Sequence, residues 1–161
     1  MLELARVFVG TGPGSYTGLR VGLATAQGLC RATGARLQGV SSFEALAWSA
    51  LRPGEEGAVV LDARGGRIYH GRYRRTAGDV EVRDAPRALT AAELQPCLEA
   101  PGPILGHPEL GQALVLAPEA AARLRTDVRP EAAAVLALGR LRAAGPDALV
   151  EPQYLREFGQ R

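Results

Sequence analysis

A glycine- and proline-rich segment follows a short apolar run near the start of this 161-residue chain. The apolar run, 4–9, is rich in valine and phenylalanine, which predicts a central strand buried on both faces. The segment 10–14, GTGPG, cannot extend that strand, and Ser15 and Thr17 offer side-chain oxygens that cap a following helix. We therefore expect a strand, a tight turn and a helix over 17–32.

Strand and helix signals alternate along the rest of the chain. The sequence SSFE at 41–44 has the form of a capping box and predicts a second helix ending near residue 51. Two runs, 58–63 and 67–73, flank an Arg-Gly-Gly link and predict a β-hairpin, followed by a strand at 80–82. Later predicted elements are a short helix with a capping box at Thr90 and Glu93, a strand at 103–106, helices at 118–125 and 130–144, and a docked tail at 152–156. This order predicts a mixed α/β protein.

Composition excludes several classes of function. With 47% hydrophobic and 22% charged residues the chain is typical of a globular protein, and its apolar stretches are too short to span a bilayer. All 19 basic residues are arginine, which excludes a Walker-A phosphate loop and Schiff-base chemistry because both need lysine. No secretory signal is recognisable, and Cys30 and Cys97 have no partner motif. We expect a cytoplasmic protein with both thiols reduced.

Patterns for catalysis and metal binding are missing from the sequence. His70 and His107 lack the spacing that places two imidazoles around a metal, so no metal or cofactor site is predicted. His70 is expected to be a half-exposed strand residue. The residues around Ser15 do not form a nucleophile elbow. Asp62 ends a strand, where we expect it to order Arg64 or the adjoining turn.

Positive charge is concentrated on the predicted hairpin. The residues involved are Arg64, Arg67, Arg72, Arg74 and Arg75. A tRNA backbone could bind such a patch electrostatically. The alternative is an ordinary solvated face, which the low net charge and the carboxylates that follow favour.

The glycine loop admits three interpretations. Its glycines could bring backbone N–H groups to a phosphate, but the pattern G-x-G-x-x-x-G matches neither the dinucleotide fingerprint nor Walker A. It could equally be a tight turn without a ligand. The third interpretation concerns the helix that follows, where small residues on one side would let another backbone approach closely.

The predicted helix is apolar on nearly all sides. Its small stripe and the flanking leucines are Gly18, Leu19, Gly22, Leu23, Ala26 and Leu29. The opposite side, with Arg20, Thr25 and Gln27 among small residues, is hardly polar either. Such a helix must be covered on two sides, and the sheet of a small chain covers only one. The stripe therefore predicts contact with a helix of a partner.

The glycine loop also carries a family resemblance. The sequence GPGSYTGLRVG at 12–22 resembles the signature G-P-G-S-[FY]-T-G-[LV]-R-[VI]-G of the TsaB family, also called YeaZ. Further segments follow in matching order from residue 4 onward: AQGL at 26–29, GVSS at 39–42, LDARGGRIY at 61–69 and PQYLR at 152–156.

This resemblance implies an actin-like (ASKHA, ribonuclease H-like) α/β fold of two lobes, here 1–55 and 56–161. Family members carry a longer segment before the glycine loop, so we expect the first lobe to be truncated. The loop residues Gly12, Pro13, Gly14, Ser15 and Thr17 would be structural.

The resemblance also implies a non-catalytic protein without a cofactor. It would pair through the stripe with TsaD, which transfers a threonylcarbamoyl group to tRNA adenosine beside the anticodon, and would work with the ATPase TsaE. A homodimer through the same helix is a further possibility. The alternative function is an enzyme: an actin-like ATP-binding protein or a glycoprotease-type hydrolase.

Overall fold

The computed structural model describes residues 4–106, 116–129, 131–142 and 150–154. Its elements in chain order are β1 (Arg6–Gly10), α1 (Tyr16–Thr33), β2 (Arg36–Val40), α2 (Ser42–Ala50), β3 (Glu56–Arg64), β4 (Arg67–Arg75), β5 (Val80–Leu89), α3 (Ala91–Cys97), β6 (Ile104–Gly106), α4 (Pro118–Ala121), β7 (Leu124–Arg125) and α5 (Ala132–Arg142).

The first sheet is a β1–α1–β2 unit in which the two strands are parallel and pair along their whole length. The predicted strand, turn and helix are thereby confirmed. Ser15 caps α1 by accepting a hydrogen bond from the Gly18 N–H at 3.3 Å. Gly34 ends the helix in the left-handed conformation. The prediction that β1 is buried on both faces is wrong for the described ranges, where all its residues are half-buried and only β2 pairs with it.

The second sheet has the strand order β5-β4-β3-β6-β7. The β3–β4 hairpin is confirmed, and Asp62 orders its turn as expected, because its Oδ1 accepts the Arg64 N–H at 2.7 Å. Arg64, Gly65 and Gly66 all have positive φ in that turn. The third strand was predicted too short. It continues to Leu89 because an edge strand tolerates the charged residues and proline that hide its pattern.

Side chains alternate between two apolar layers on the second sheet. Val59 and Tyr73 face a core that also holds Phe43 and Leu46 of α2. Residues of the opposite face pack beneath α3, whose Leu94 is fully buried. The sheet therefore has helices on both sides, as expected for an α/β fold.

Each sheet receives a helix from the other half of the chain. α2 follows β2 in the sequence but packs on β3, β4 and β5, whereas α5 comes late in the chain and packs on β1 and β2. Gly139 of α5 lies so close to the Phe8 ring that a Cβ built on it would come within 2.7 Å of Cε1. The two sheets are thus joined through exchanged helices.

Other predicted elements need correction. The capping box at Ser41 does not form, because the Ser41 side chain accepts no hydrogen bond from the first turn of α2 and is turned toward the Gly12 carbonyl, to which it donates. The box at Thr90 and Glu93 is confirmed. The helix predicted at 118–125 is one turn long, because Leu124 and Arg125 pair with β6 as a strand. His107 and the last two residues of the predicted tail lie outside the described ranges.

Candidate functional site

The glycine loop is tied to the junction between β2 and α2. The Gly12 carbonyl accepts the Ser42 N–H at 2.8 Å and the Ser41 hydroxyl at 3.3 Å. The Gly12 N–H donates to Ser42 Oγ at 3.2 Å. Gly12 has a φ of 101°, which favours glycine, and a Cβ there would come within 2.8 Å of Leu19. The backbone of Gly12 is therefore used inside the fold.

The tail segment 150–154 crosses this loop. The Gln153 N–H donates to the Thr11 carbonyl at 2.7 Å. The ring of Tyr154 lies 5.4 Å from that of Tyr16, centroid to centroid, and its hydroxyl accepts a hydrogen bond from Arg20 Nε at 3.2 Å. The predicted docking of the tail is confirmed for these residues, whereas sequence reasoning missed the cluster of Tyr16, Arg20 and Tyr154.

Helix α1 has an inner and an outer side. Leu23 and Ala26 are only 9% and 5% exposed, and Leu19 and Gly22 are half-buried on the same side. Val21 and Leu29 are 61% and 48% exposed on the other. We call the outer face of α1 the exposed surface formed by Thr17, Val21, Ala24, Thr25, Gly28 and Leu29.

The predicted interface set stays a prediction, and its residues lie on both sides of α1. Leu23 and Ala26 face the protein's own sheet, because α1 packs on β1 and β2 through that side. Among the predicted interface residues only Gly18 and Leu29 are exposed. The helix does have two apolar sides, but the small stripe and its leucines lie mainly on the inner one.

Two glycines of α1 have no steric role within the described chain. A Cβ built on Gly22 or Gly28 would meet no atom within 4 Å. Glycine in a helix interior costs roughly 0.5–1 kcal/mol relative to alanine. Contacts within the described ranges therefore do not account for these glycines.

A cavity of about 300 Å³ lies between the glycine loop and the second sheet. Its walls include Pro13, Leu19, Leu46 and Leu61, and Arg129 is the one charged residue among the described residues that line it. No carboxylate or imidazole is among these lining residues, so this mostly apolar space holds no described acid–base pair.

His70 is more buried than the sequence predicted. Its side chain is 0% exposed, and neither ring nitrogen has a hydrogen-bond partner in the described ranges. Burial lowers the pKa of His70, opposed by the Asp84 carboxylate, whose Oδ2 lies 3.7 Å from Nδ1. The long β5 strand, which brings Asp84 over this position, was the element that the sequence concealed.

Arg67 and Arg72 of the hairpin pair with carboxylates within the fold, and Arg75 bonds to backbone carbonyls. Arg72 pairs with Glu56 at 2.9 Å, and Arg67 approaches Glu93 at 3.6 Å. Arg75 donates to the Trp48 and Leu51 carbonyls at the end of α2. The alternative of an ordinary charged surface thus agrees better with these contacts than a continuous nucleic-acid patch does.

The described residues also bear on metal binding, membrane insertion and cysteine pairing. Within those ranges no three or more His, Cys, Asp or Glu residues are grouped to hold a metal ion. No helix among them has both the length and the apolar character needed to cross a bilayer. Cys30 and Cys97 are both free thiols.

The fold is similar to that of solved structures. YeaZ from Pseudomonas aeruginosa superposes with a TM-score of 0.72 at 26% identity, covering 91% of this chain and 72% of that one. Together with the β1–α1–β2 unit and the second sheet, this likeness defines an actin-like (ASKHA) α/β protein.

The sequence comparisons give the family. The family model described as TsaD, tRNA N6-adenosine threonylcarbamoyltransferase, matches residues 1–106. TsaB from Bacillus subtilis is 35% identical over 79 residues, 49% of this chain and 34% of that protein. TsaB from Escherichia coli is 30% identical over 96 residues, 58% of this chain and 42% of that protein. The chain belongs to the TsaB (YeaZ) family of TsaD-like proteins. It spans less than half the length of the curated relatives that it matches, including 20% of an uncharacterised protein from Mycobacterium leprae and 47% of one from Mycobacterium bovis.

Proposed function

We propose that this chain is a non-catalytic subunit in the synthesis of threonylcarbamoyladenosine in tRNA, acting in the cytoplasm as the partner of TsaD. Its likeness to two proteins named for that biosynthesis supports the assignment. TsaE, the ATPase that the family resemblance implies, would be a further partner. The lobes would be 1–55 and 56–161, each built around one sheet.

The observation that carries this proposal is the outer face of α1. Val21 and Leu29 are exposed there, and a Cβ built on Gly28 of the same face would meet no described atom within 4 Å. Exposed apolar residues beside small ones suit close packing of a second helix. The inner side of the same helix is covered by β1 and β2, so the outer face is the side left for a partner.

The pairing can be tested by mixing the purified chain with TsaD from the same organism and measuring mass by size-exclusion chromatography with light scattering. A one-to-one complex is expected. Val21→Arg and Gly28→Leu should each abolish it, because they place a charge or bulk where helices meet. Arg74→Glu, an exposed change on β4, is the matched control. Separate peaks from two folded wild-type proteins would contradict the proposal.

A further inference from the structure

Two arginines border the outer face of α1 along one edge. Arg20 and Arg31 are eleven positions apart, close to three helical turns, so both lie on the same side of the helix. Their separation along the axis is about 16 Å. Both are exposed. Val21, Ala24 and Gly28 lie next to this edge, in the middle of the outer face.

The segment that carries these two arginines holds few carboxylates. Residues 4–50 hold four arginines and a single carboxylate, Glu44, whereas residues 51–106 hold eight arginines and eight carboxylates. α1 itself has no acidic residue. Among the described residues Arg20 and Arg31 form no ion pair, whereas Arg67 and Arg72 of the hairpin pair with Glu93 and Glu56.

The Arg20 side chain is held in place by its own protein. Its guanidinium lies 4.1 Å from the centre of the Tyr16 ring, and Nε donates to the Tyr154 hydroxyl. In the described ranges its two Nη groups have no acceptor. A guanidinium already fixed by aromatic contacts loses less conformational entropy when it pairs with a carboxylate.

We propose that the outer face of α1 selects a partner helix that carries carboxylates opposite Arg20 and Arg31, with Arg20 as the contact that determines specificity. This rests on the proposed function, which makes the outer face the docking surface. Carboxylates at the rim complement both arginines while small residues pack at the centre. A second copy of this chain offers poorer charge complementarity, because its α1 would bring more arginines and no carboxylate to the contact.

The test measures the affinity of the chain for TsaD from the same organism by titration calorimetry at low and high salt. Arg20→Glu and Arg31→Glu should each weaken binding on the order of tenfold, more at low salt. Tyr154→Phe should weaken binding a fewfold, because Arg20 loses the hydroxyl that orients its guanidinium. Tyr154 would then be a positioning residue. Arg74→Glu should leave affinity unchanged, and thermal melts confirm that each variant is folded.

Val21→Arg separates failure of this inference from failure of the proposed function. If Val21→Arg abolishes binding while both charge reversals leave affinity and its salt dependence unchanged, partner selection by carboxylates is overturned and the docking surface stands. If none of these variants changes the affinity, the outer face of α1 is not the surface that binds TsaD.

Binding of either of two other molecules at the outer face of α1 would also overturn the inference. The first is a second copy of the chain, shown by a dimer of the isolated protein that Val21→Arg dissociates. The second is RNA, shown if the charge reversals abolish binding of an unmodified tRNA transcript and leave the TsaD complex intact.

Discussion

The ring of Phe8 in β1 lies directly against the backbone of Gly139 in α5, which leaves no room for a side chain at that glycine. A Cβ on Gly139 would come within 2.7 Å of Phe8 Cε1 and 2.9 Å of Cγ. Gly139→Ala is therefore expected to lower the free energy of unfolding by about 1–3 kcal/mol, through overpacking. Urea denaturation checks this, and Phe8→Leu combined with Gly139→Ala should recover part of the loss.

Replacing Gly28 in α1 by alanine is expected to stabilise the protein. No described atom lies within 4 Å of a Cβ built there, so Gly28→Ala adds helix propensity without a clash. The free energy of unfolding should rise by roughly 0.5–1 kcal/mol. The same denaturation measurement serves, and a loss of stability would show that Gly28 packs against something outside the described ranges.

The buried His70 makes stability depend on pH. Its pKa lies below the ordinary 6.5 because burial disfavours the imidazolium. As pH falls below 6.5, the unfolded chain takes up a proton that the folded chain refuses. The free energy of unfolding should then decrease, by at most about 1.4 kcal/mol per pH unit, and level off below the folded-state pKa.

Two variants isolate this effect. His70→Phe should remove the dependence between pH 6.5 and the folded-state pKa, whatever its effect on absolute stability. Asp84→Asn removes the carboxylate that raises the pKa of His70, so the decline should extend to lower pH. An unchanged slope in His70→Phe would assign the pH dependence to other groups.

Arg123 holds together the loop after α3. Its guanidinium donates to the carbonyls of Leu98, Ala100 and Gly102. Arg123→Met should cost about 2–4 kcal/mol, because these carbonyls lose charged donors. Arg123→Lys should restore only part, since an ammonium cannot reproduce the planar fork. Thermal and urea denaturation measure both, with exposed Arg74→Met as the control of little effect.

Local chemistry made part of this fold predictable. The glycine loop, the Ser15 cap, the Arg-Gly-Gly hairpin turn and the Thr90 capping box all depend on residues close in sequence. Their hydrogen bonds form as those patterns indicate. Contacts between distant segments decided the rest. Residues 118–125 have good helix propensity, yet the pairing of Leu124 and Arg125 with β6 ends the helix.

At the candidate site, too, local sequence predicted some features and contacts between distant segments set the others. An apolar pattern on both sides of α1 predicted that the helix is covered twice, but it holds no information on which side meets β1. Packing of Leu23 and Ala26 decides that, and it leaves Val21 and Leu29 outside. The contact of Arg20 with Tyr154 joins residues 134 positions apart, so no local pattern could have indicated it.

Because α2 and α5 are exchanged between the sheets, the two halves of the chain depend on each other to fold. Neither half contains all of its own core, because Ala134 and Leu138 of α5 share one apolar cluster with Phe43 of α2 and Val59 of β3. A nick in the turn at 51–55 should therefore leave two fragments that stay bound to each other, and neither fragment would fold if expressed alone.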